Sequence, residues 1–305
     1  MERPVCVVLA VLATLCLTSC SGGDSGGFGP DRMKRILVKV SACTGEDSFR
    51  LTMAAGYALE VAGGKLTSHV DRVVGCIESA GDCDEVLECM GYDPDSPCNP
   101  DDFKDRCEGN ERVRCDVLPD GRALTGTYDC SKEEPYNNKC LIENDGDVVC
   151  GAGDCDGSKE SWCDGTVLLR CEDRVIDKSD CADFGLKCVA TADEAMCATG
   201  EPCTGEESCD GDAWVSCEGG NEEMPVDCSW FGSDYTCVQE SKEDAVCGVP
   251  AGKEECTNEK PVCVGSKARI CFSGKWMDFD CASFGATCEL TDKSFLGDGI
   301  RCKAK

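Results

Sequence analysis

Apolar residues are arranged in three ways along this chain. Val5 to Leu17 is one uncharged apolar run. Between residues 45 and 90 the apolar positions follow helical spacing. From Cys98 onward apolar stretches are short and punctuated by Gly, Asp and Pro. In the middle region, Thr44 followed by Asp47 marks a helix start near residue 45, and Leu51, Ala54, Ala55, Ala58 and Val61 continue it. Gly63-Gly64 break the pattern. A second helix is predicted from Leu66 to Ser79, with Leu66, Val70, Val73, Val74 and Ile77 on one face. Gly81-Asp82 turn the chain, and Cys83 to Met90 reads as a short third helix. Beyond it the pattern changes to hairpins. Ala268 to Phe272 reads as a strand, Ser273-Gly274-Lys275 as a turn, and Trp276 to Cys281 as the return strand. Pro119-Asp120-Gly121 is a similar turn.

Cysteine spacing organises these hairpins. Of 31 cysteines, 24 fall into four groups of six. The first is Cys98, Cys107, Cys115, Cys130, Cys140 and Cys150; the second is Cys155, Cys163, Cys171, Cys181, Cys188 and Cys197. The third is Cys203, Cys209, Cys217, Cys228, Cys237 and Cys247; the fourth is Cys256, Cys263, Cys271, Cys281, Cys288 and Cys302. Seven residues separate the second cysteine from the third in every group. Gly109, Gly165, Gly211 and Gly265 stand two residues after the second cysteine. Asp129, Asp180, Asp227 and Asp280 immediately precede the fourth. Phe184-Gly185, Phe231-Gly232 and Phe284-Gly285 follow it in three groups, while the first has Glu133-Glu134-Pro135. The recurrence is a tandem array. The fixed gap fits a strand whose length is set by the hairpin, and variable gaps fall in loops. A module of this size buries too little apolar surface to fold unaided and relies on its bridges. Sequence leaves the pairing within each six open.

Cys43, Cys76, Cys83 and Cys89 lie in the helical region. Cys83 and Cys89 would be about 9 Å apart along one helix, beyond the roughly 7 Å that a disulfide spans. Two pairings remain: Cys43–Cys89 with Cys76–Cys83, or Cys43–Cys83 with Cys76–Cys89.

Cysteine density this high places the chain in an oxidising compartment. The run from Val5 to Leu17 has the length of a signal-peptide core and is too short to span a bilayer. It ends in Leu17-Thr18-Ser19-Cys20, which resembles the bacterial lipobox. That resemblance implies cleavage before Cys20 and acylation of its sulfur; the alternative is an ordinary signal peptide cut nearby. Removing Cys6, Cys16 and Cys20 from the 31 leaves 28, an even number for pairing. The expected organisation is a multi-domain, disulfide-rich chain. It comprises a signal peptide (1–19), a Gly/Ser-rich tether (20–31), a small helical domain (32–95), and four β-hairpin-based modules (96–151, 152–200, 201–252 and 253–305).

Chemistry is sparse. Formal charge is −29, without the basic patches that nucleic acid requires; the acidity serves solubility, with weak divalent-cation binding as the alternative. Gly23-Asp24-Ser25-Gly26-Gly27 matches the nucleophile motif of chymotrypsin-like proteases, but it lies in the tether. The sole histidine, His69, follows it instead of preceding it. No Cys-x-x-Cys suggests zinc or thiol redox chemistry, and no phosphate-binding loop is present. Asp145-Gly146-Asp147 and Asp154-Cys155-Asp156-Gly157 fail the EF-hand spacing. Trp162, Trp214, Trp230 and Trp276 could stack on sugars or cover disulfides.

Two resemblances follow. The Leu17–Cys20 motif, the tether and the Cys-x-Gly…Cys…Asp-Cys-x-x-Phe-Gly-x-x-Cys modules resemble the Cys-rich lipoproteins of myxobacteria. In such proteins, Ser21 after the acylated cysteine implies the outer membrane. Six-cysteine modules in tandem are also similar to peritrophin-type chitin-binding modules, although the first intercysteine gap here is shorter. The expectation is a membrane-anchored, non-enzymatic surface lipoprotein acting as a spacer or protein-interaction array, without cofactor, metal or nucleic acid. Its partners would be the bilayer, through Cys20, and a protein or glycan. The alternative is an array that binds carbohydrate or cell wall.

Overall fold

The structure, a computed structural model, describes residues 30–46 and 68–304, apart from 133–137, 143–145, 173, 192–193, 205–206, 219, 223–224, 232, 242–243, 258 and 295–296. The lipobox with Cys20, the Gly23–Gly27 motif and the helix expected through Val61 lie outside these residues. The described chain forms two compact units: residues 68–197, and residues 30–46 with 198–304.

Three helices precede the modules: α1 (Pro30–Thr44), α2 (Ser68–Ser79) and α3 (Cys83–Cys89). α1 begins at Pro30, inside the stretch expected to be tether through residue 31. Pro30 suits the first helical position and Asp31 the positive end of the dipole. Met33, Ile36, Leu37, Val40, Ser41 and Thr44 then recur every three or four residues and are all buried. At its end the Thr44 hydroxyl donates to the Val40 carbonyl at 2.8 Å and accepts the Glu46 amide at 3.2 Å. Gly45 follows with φ of +78° and donates to Ser41 O at 2.9 Å. α1 packs on the fourth module. There the Cys302 amide donates to Ser41 Oγ at 3.0 Å, and Lys39 Nζ stands 5.4 Å from the Phe284 ring.

α3 starts at Asp82, whose carboxylate accepts the Glu85 amide at 3.0 Å, while the Glu85 side chain accepts the Gly81 amide. The Cys76–Cys89 disulfide joins α2 to α3 with Cα atoms 5.6 Å apart. Cys43 and Cys83 are disulfide-bonded as well. Leu87 of α3 packs with Tyr92, Leu118 and Leu124 of the first module. Among the described residues no helix is long and apolar enough to cross a membrane.

The first module contains β1 (Tyr92–Pro97), β2 (Arg106–Glu108), β3 (Glu111–Val117), β4 (Ala123–Asp129), β5 (Lys139–Ile142) and β6 (Val148–Gly151). The second contains β7 (Ser161–Asp164), β8 (Val167–Glu172), β9 (Val175–Asp180), β10 (Lys187–Ala190) and β11 (Ala195–Ala198). The third contains β12 (Glu207–Asp210), β13 (Ala213–Glu218), β14 (Asn221–Glu222), β15 (Val226–Asp227), β16 (Thr236–Gln239) and β17 (Ala245–Gly248). The fourth contains β18 (Val262–Val264), β19 (Lys267–Phe272), β20 (Lys275–Asp280), β21 (Thr287–Ser294) and β22 (Gly297–Lys303). All four share one plan. An antiparallel meander leads through a 3-10 turn into a separate two-stranded hairpin. β1 adds a fourth strand beside β4 in the first module, and β14 with β15 split the third strand of the third module.

The disulfides repeat as well. In each module the first cysteine pairs with the third, the second with the fifth and the fourth with the sixth. In the second module these are Cys155–Cys171, Cys163–Cys188 and Cys181–Cys197. The first module has Cys98–Cys115, Cys107–Cys140 and Cys130–Cys150. The third has Cys203–Cys217, Cys209–Cys237 and Cys228–Cys247, and the fourth Cys256–Cys271, Cys263–Cys288 and Cys281–Cys302. Apolar cores are correspondingly small. In the second module Leu168, Cys181 and Ala195 are buried, with Cys163, Leu186, Cys188 and Cys197 packed around them.

The recurrent residues have common roles. The seven-residue gap holds a complete hairpin, not the single strand expected. Cys163 lies opposite Leu168, Asp164 opposite Val167, and Gly165-Thr166 form the loop. Gly109, Gly165, Gly211 and Gly265 have φ between +61° and +67° at the first loop position, which matches a type II′ turn. The residue after each glycine accepts the amide of the fourth cysteine; Cys181 N to Thr166 O is 3.0 Å. The aspartates cap the 3-10 turn: Asp129, Asp180, Asp227 and Asp280 each accept the amide two residues on, at 2.9–3.1 Å. Gly185 and Gly285 end that turn in the left-handed conformation.

A recurrent hydrogen bond closes the entrance of each of the last three modules. The segment entering each of the last three modules hydrogen-bonds to the turn between its second and third meander strands. Cys155 N donates to Arg174 O (2.8 Å), Cys203 N to Gly220 O (3.1 Å) and Cys256 N to Gly274 O (3.3 Å). Between the third and fourth modules, Phe231, Tyr235 and Phe272 cluster, with the Tyr235 hydroxyl donating to Phe272 O at 2.9 Å.

Candidate functional site

The tryptophans do not form a repeated platform. Trp162 precedes the second cysteine of its module, Trp214 lies opposite Cys209, Trp230 falls in the 3-10 turn, and Trp276 lies opposite Cys271. The Trp214 indole nitrogen is buried without a hydrogen-bond partner among the described residues. Arg269 stands 5.9 Å from the Trp276 ring and forks onto Asp278 at 2.6 and 3.0 Å. This pairing holds the Asp278 carboxyl below its ordinary pKa.

Trp162 lines an open groove of about 560 Å³ in the second module, together with Asp154, Asp156, Ser158, Lys159 and Ile176. Its position follows from strand alternation. Cys163 faces the small disulfide core, so Trp162 points to the opposite side of the meander, across from Leu169. The loop between Cys155 and Cys163 forms the other wall. Three covalent and hydrogen-bonded ties fix it: the Cys155–Cys171 disulfide, Cys155 N to Arg174 O at 2.8 Å, and Cys171 N to Glu160 O at 2.8 Å. Asp156 accepts the Ser158 amide at 2.9 Å. Its side-chain and backbone hydrogen bonds with Ser158 hold the Asp156 carboxyl below its ordinary pKa, hence ionised at neutral pH. The sequence identified Asp154, Asp156 and Trp162 separately; the disulfide brings them together.

The chain matches no family model, no curated protein and no solved structure. Function therefore rests on local chemistry.

Two other clusters serve the fold. Cys256, Glu259 and Cys271 converge within 4.8 Å in the fourth module. The two sulfurs are bonded to each other, so neither is a thiolate ligand. In the first module, buried Asp116 pairs with Arg114 at 2.6 Å beside buried Tyr92. Burial raises the pKa of both Tyr92 and Asp116. Tyr92 also belongs to the Leu87–Tyr92–Leu118–Leu124 core, so the cluster borders that core.

Proposed function

We propose that the chain is a membrane-anchored surface lipoprotein whose four modules act as a non-enzymatic spacer or protein-interaction array. The observation that carries this reading is the fourfold repeat of one disulfide-stapled plan, closed at its entrance in a recurrent way. Each of the last three modules receives its entering segment on the same turn, through the amide of its first cysteine. Four disulfide-stapled copies of one small plan favour presentation of surface over construction of one deep catalytic centre. The acidic charge fits a chain held off an anionic surface. The Leu17-Thr18-Ser19-Cys20 sequence supplies the anchor by its resemblance to a lipobox, and Ser21 favours the outer membrane. Acyl chains inserting at about 0.8 kcal/mol per buried methylene hold such a chain on a bilayer.

The test is acyl labelling in a bacterial host. Wild type should incorporate palmitate and fractionate with membranes, whereas Cys20→Ser should do neither. A tag after Lys305 should be accessible on intact cells and become less so as modules are deleted. Labelled Cys20→Ser protein, or tag accessibility indifferent to loss of all four modules, would refute the proposal.

A further inference from the structure

We propose that the Trp162 groove of the second module is a binding site for an alkylammonium group, as carried by a polyamine or a lysine side chain. The rest of the molecule shows the chemistry involved. Where this chain places a cation against an exposed or half-buried aromatic ring, it draws the cation from itself: Arg269 over Trp276, Arg106 over Phe103 and Arg112 over Tyr128. In the fourth module the same arginine also forks onto Asp278, giving an indole, a cation and a carboxylate in contact. The second module has the indole and the carboxylates arranged around a groove. No described cationic side chain stands over Trp162, and neither Asp154 nor Asp156 has an ion pair among the described residues. Lys159 lines the groove as well and is exposed.

Charge decides among ligand classes. An anion would meet two carboxylates on a chain of net charge −29. A neutral ligand would gain stacking and hydrogen bonds to the carboxylates but no attraction between opposite charges. An ammonium gains attraction to the indole face, charge-assisted hydrogen bonds to Asp154 and Asp156, and long-range steering by the acidic chain. Ile176 offers apolar surface to the methylenes that carry the ammonium. A volume near 560 Å³ lies within the usual range for a small-ligand site. The walls are pre-organised by the Cys155–Cys171 disulfide and its flanking hydrogen bonds, so little ordering accompanies binding. None of this chemistry depends on the membrane anchor, so the groove and the anchor can fail independently.

Titration calorimetry on the oxidised mature chain at about 0.15 M salt tests the site. Spermidine and a short lysine peptide are the two ammonium arms, and cellotetraose is the neutral comparison. The expected result is saturable one-site binding in at least one ammonium arm, and the arm that binds identifies the source. Trp162→Ala should weaken it roughly threefold to thirtyfold. The double variant Asp154→Asn, Asp156→Asn should weaken it to a similar extent. Because asparagine can keep the turn made by Asp156, that variant separates lost charge from lost fold. Lys159→Ala should tighten binding by removing a like charge. The proposal is overturned by non-saturable binding in both ammonium arms, by binding that both sets of variants leave unchanged, or by binding of cellotetraose alone.

Discussion

The amide of Cys181 donates to the carbonyl of Thr166 at 3.0 Å. This bond ties the hairpin turn at Gly165 to the start of the 3-10 turn that Asp180 caps. Cys130 with Asn110, Cys228 with Asp212, and Cys281 with Ser266 repeat it at 3.0–3.2 Å. The glycine and the aspartate of the repeat are therefore two ends of one device, which sets where the fourth cysteine meets the sixth.

Gly165→Ala tests the turn. A Cβ there would meet nothing within 4 Å, but φ is +64°. The cost is thus backbone strain alone, about 1–2 kcal/mol. Asp180→Ala removes the cap and should cost about 1 kcal/mol. Denaturant unfolding of the oxidised chain measures both. A loss under about 0.3 kcal/mol for Gly165→Ala would show that the turn does not need its left-handed residue.

Gly151 tests the joint between the first and second modules. Its backbone is ordinary, yet a Cβ would come within 2.2 Å of Val175 Cγ1. Gly151→Ala should therefore push apart a junction held by Ala152 N to Ile176 O and Ile176 N to Gly153 O, both 2.8 Å. Protease cleavage between residues 151 and 155 should rise. Adding Val175→Ala should restore much of the resistance, because it removes the clashing methyl groups. If the double variant is cleaved faster than Gly151→Ala alone, steric contact is not what orders the joint.

The module plan was legible in the cysteine, glycine, aspartate and Phe-Gly positions because each is demanded by local backbone geometry. The disulfide order was not, since pairing depends on which strand faces which. The hairpin inside the seven-residue gap was hidden for a related reason: Gly165-Thr166 is a two-residue loop flanked by strands of only four to six residues. α1 is obscured in the sequence because Arg32, Lys34, Arg35 and Lys39 interrupt its apolar pattern. The buried series Met33, Ile36, Leu37 and Val40 was nonetheless available to a search at helical spacing. The groove was illegible because its two walls, Asp154–Lys159 and Trp162 with Ile176, meet only after Cys155 bonds Cys171.

Two aspartates should give stability opposite dependences on pH. Asp116 is 8% exposed, and burial raises its folded pKa despite Arg114 and Arg112 nearby. The folded chain then holds that proton more tightly than the unfolded chain. Its contribution is fully present below the ordinary aspartate pKa of about 3.9 and is lost as pH rises through the folded value. Asp278 behaves in the reverse sense. Its hydrogen bonds with Arg269 lower its folded pKa, so its contribution is present above about 3.9 and is lost as pH falls through the depressed value. Urea unfolding as a function of pH should therefore show two distinct changes. Asp116→Asn should flatten the decline on the neutral side, and Asp278→Asn should flatten the decline on the acid side. Matching slopes in the two variants would mean that burial does not outweigh the arginines around Asp116.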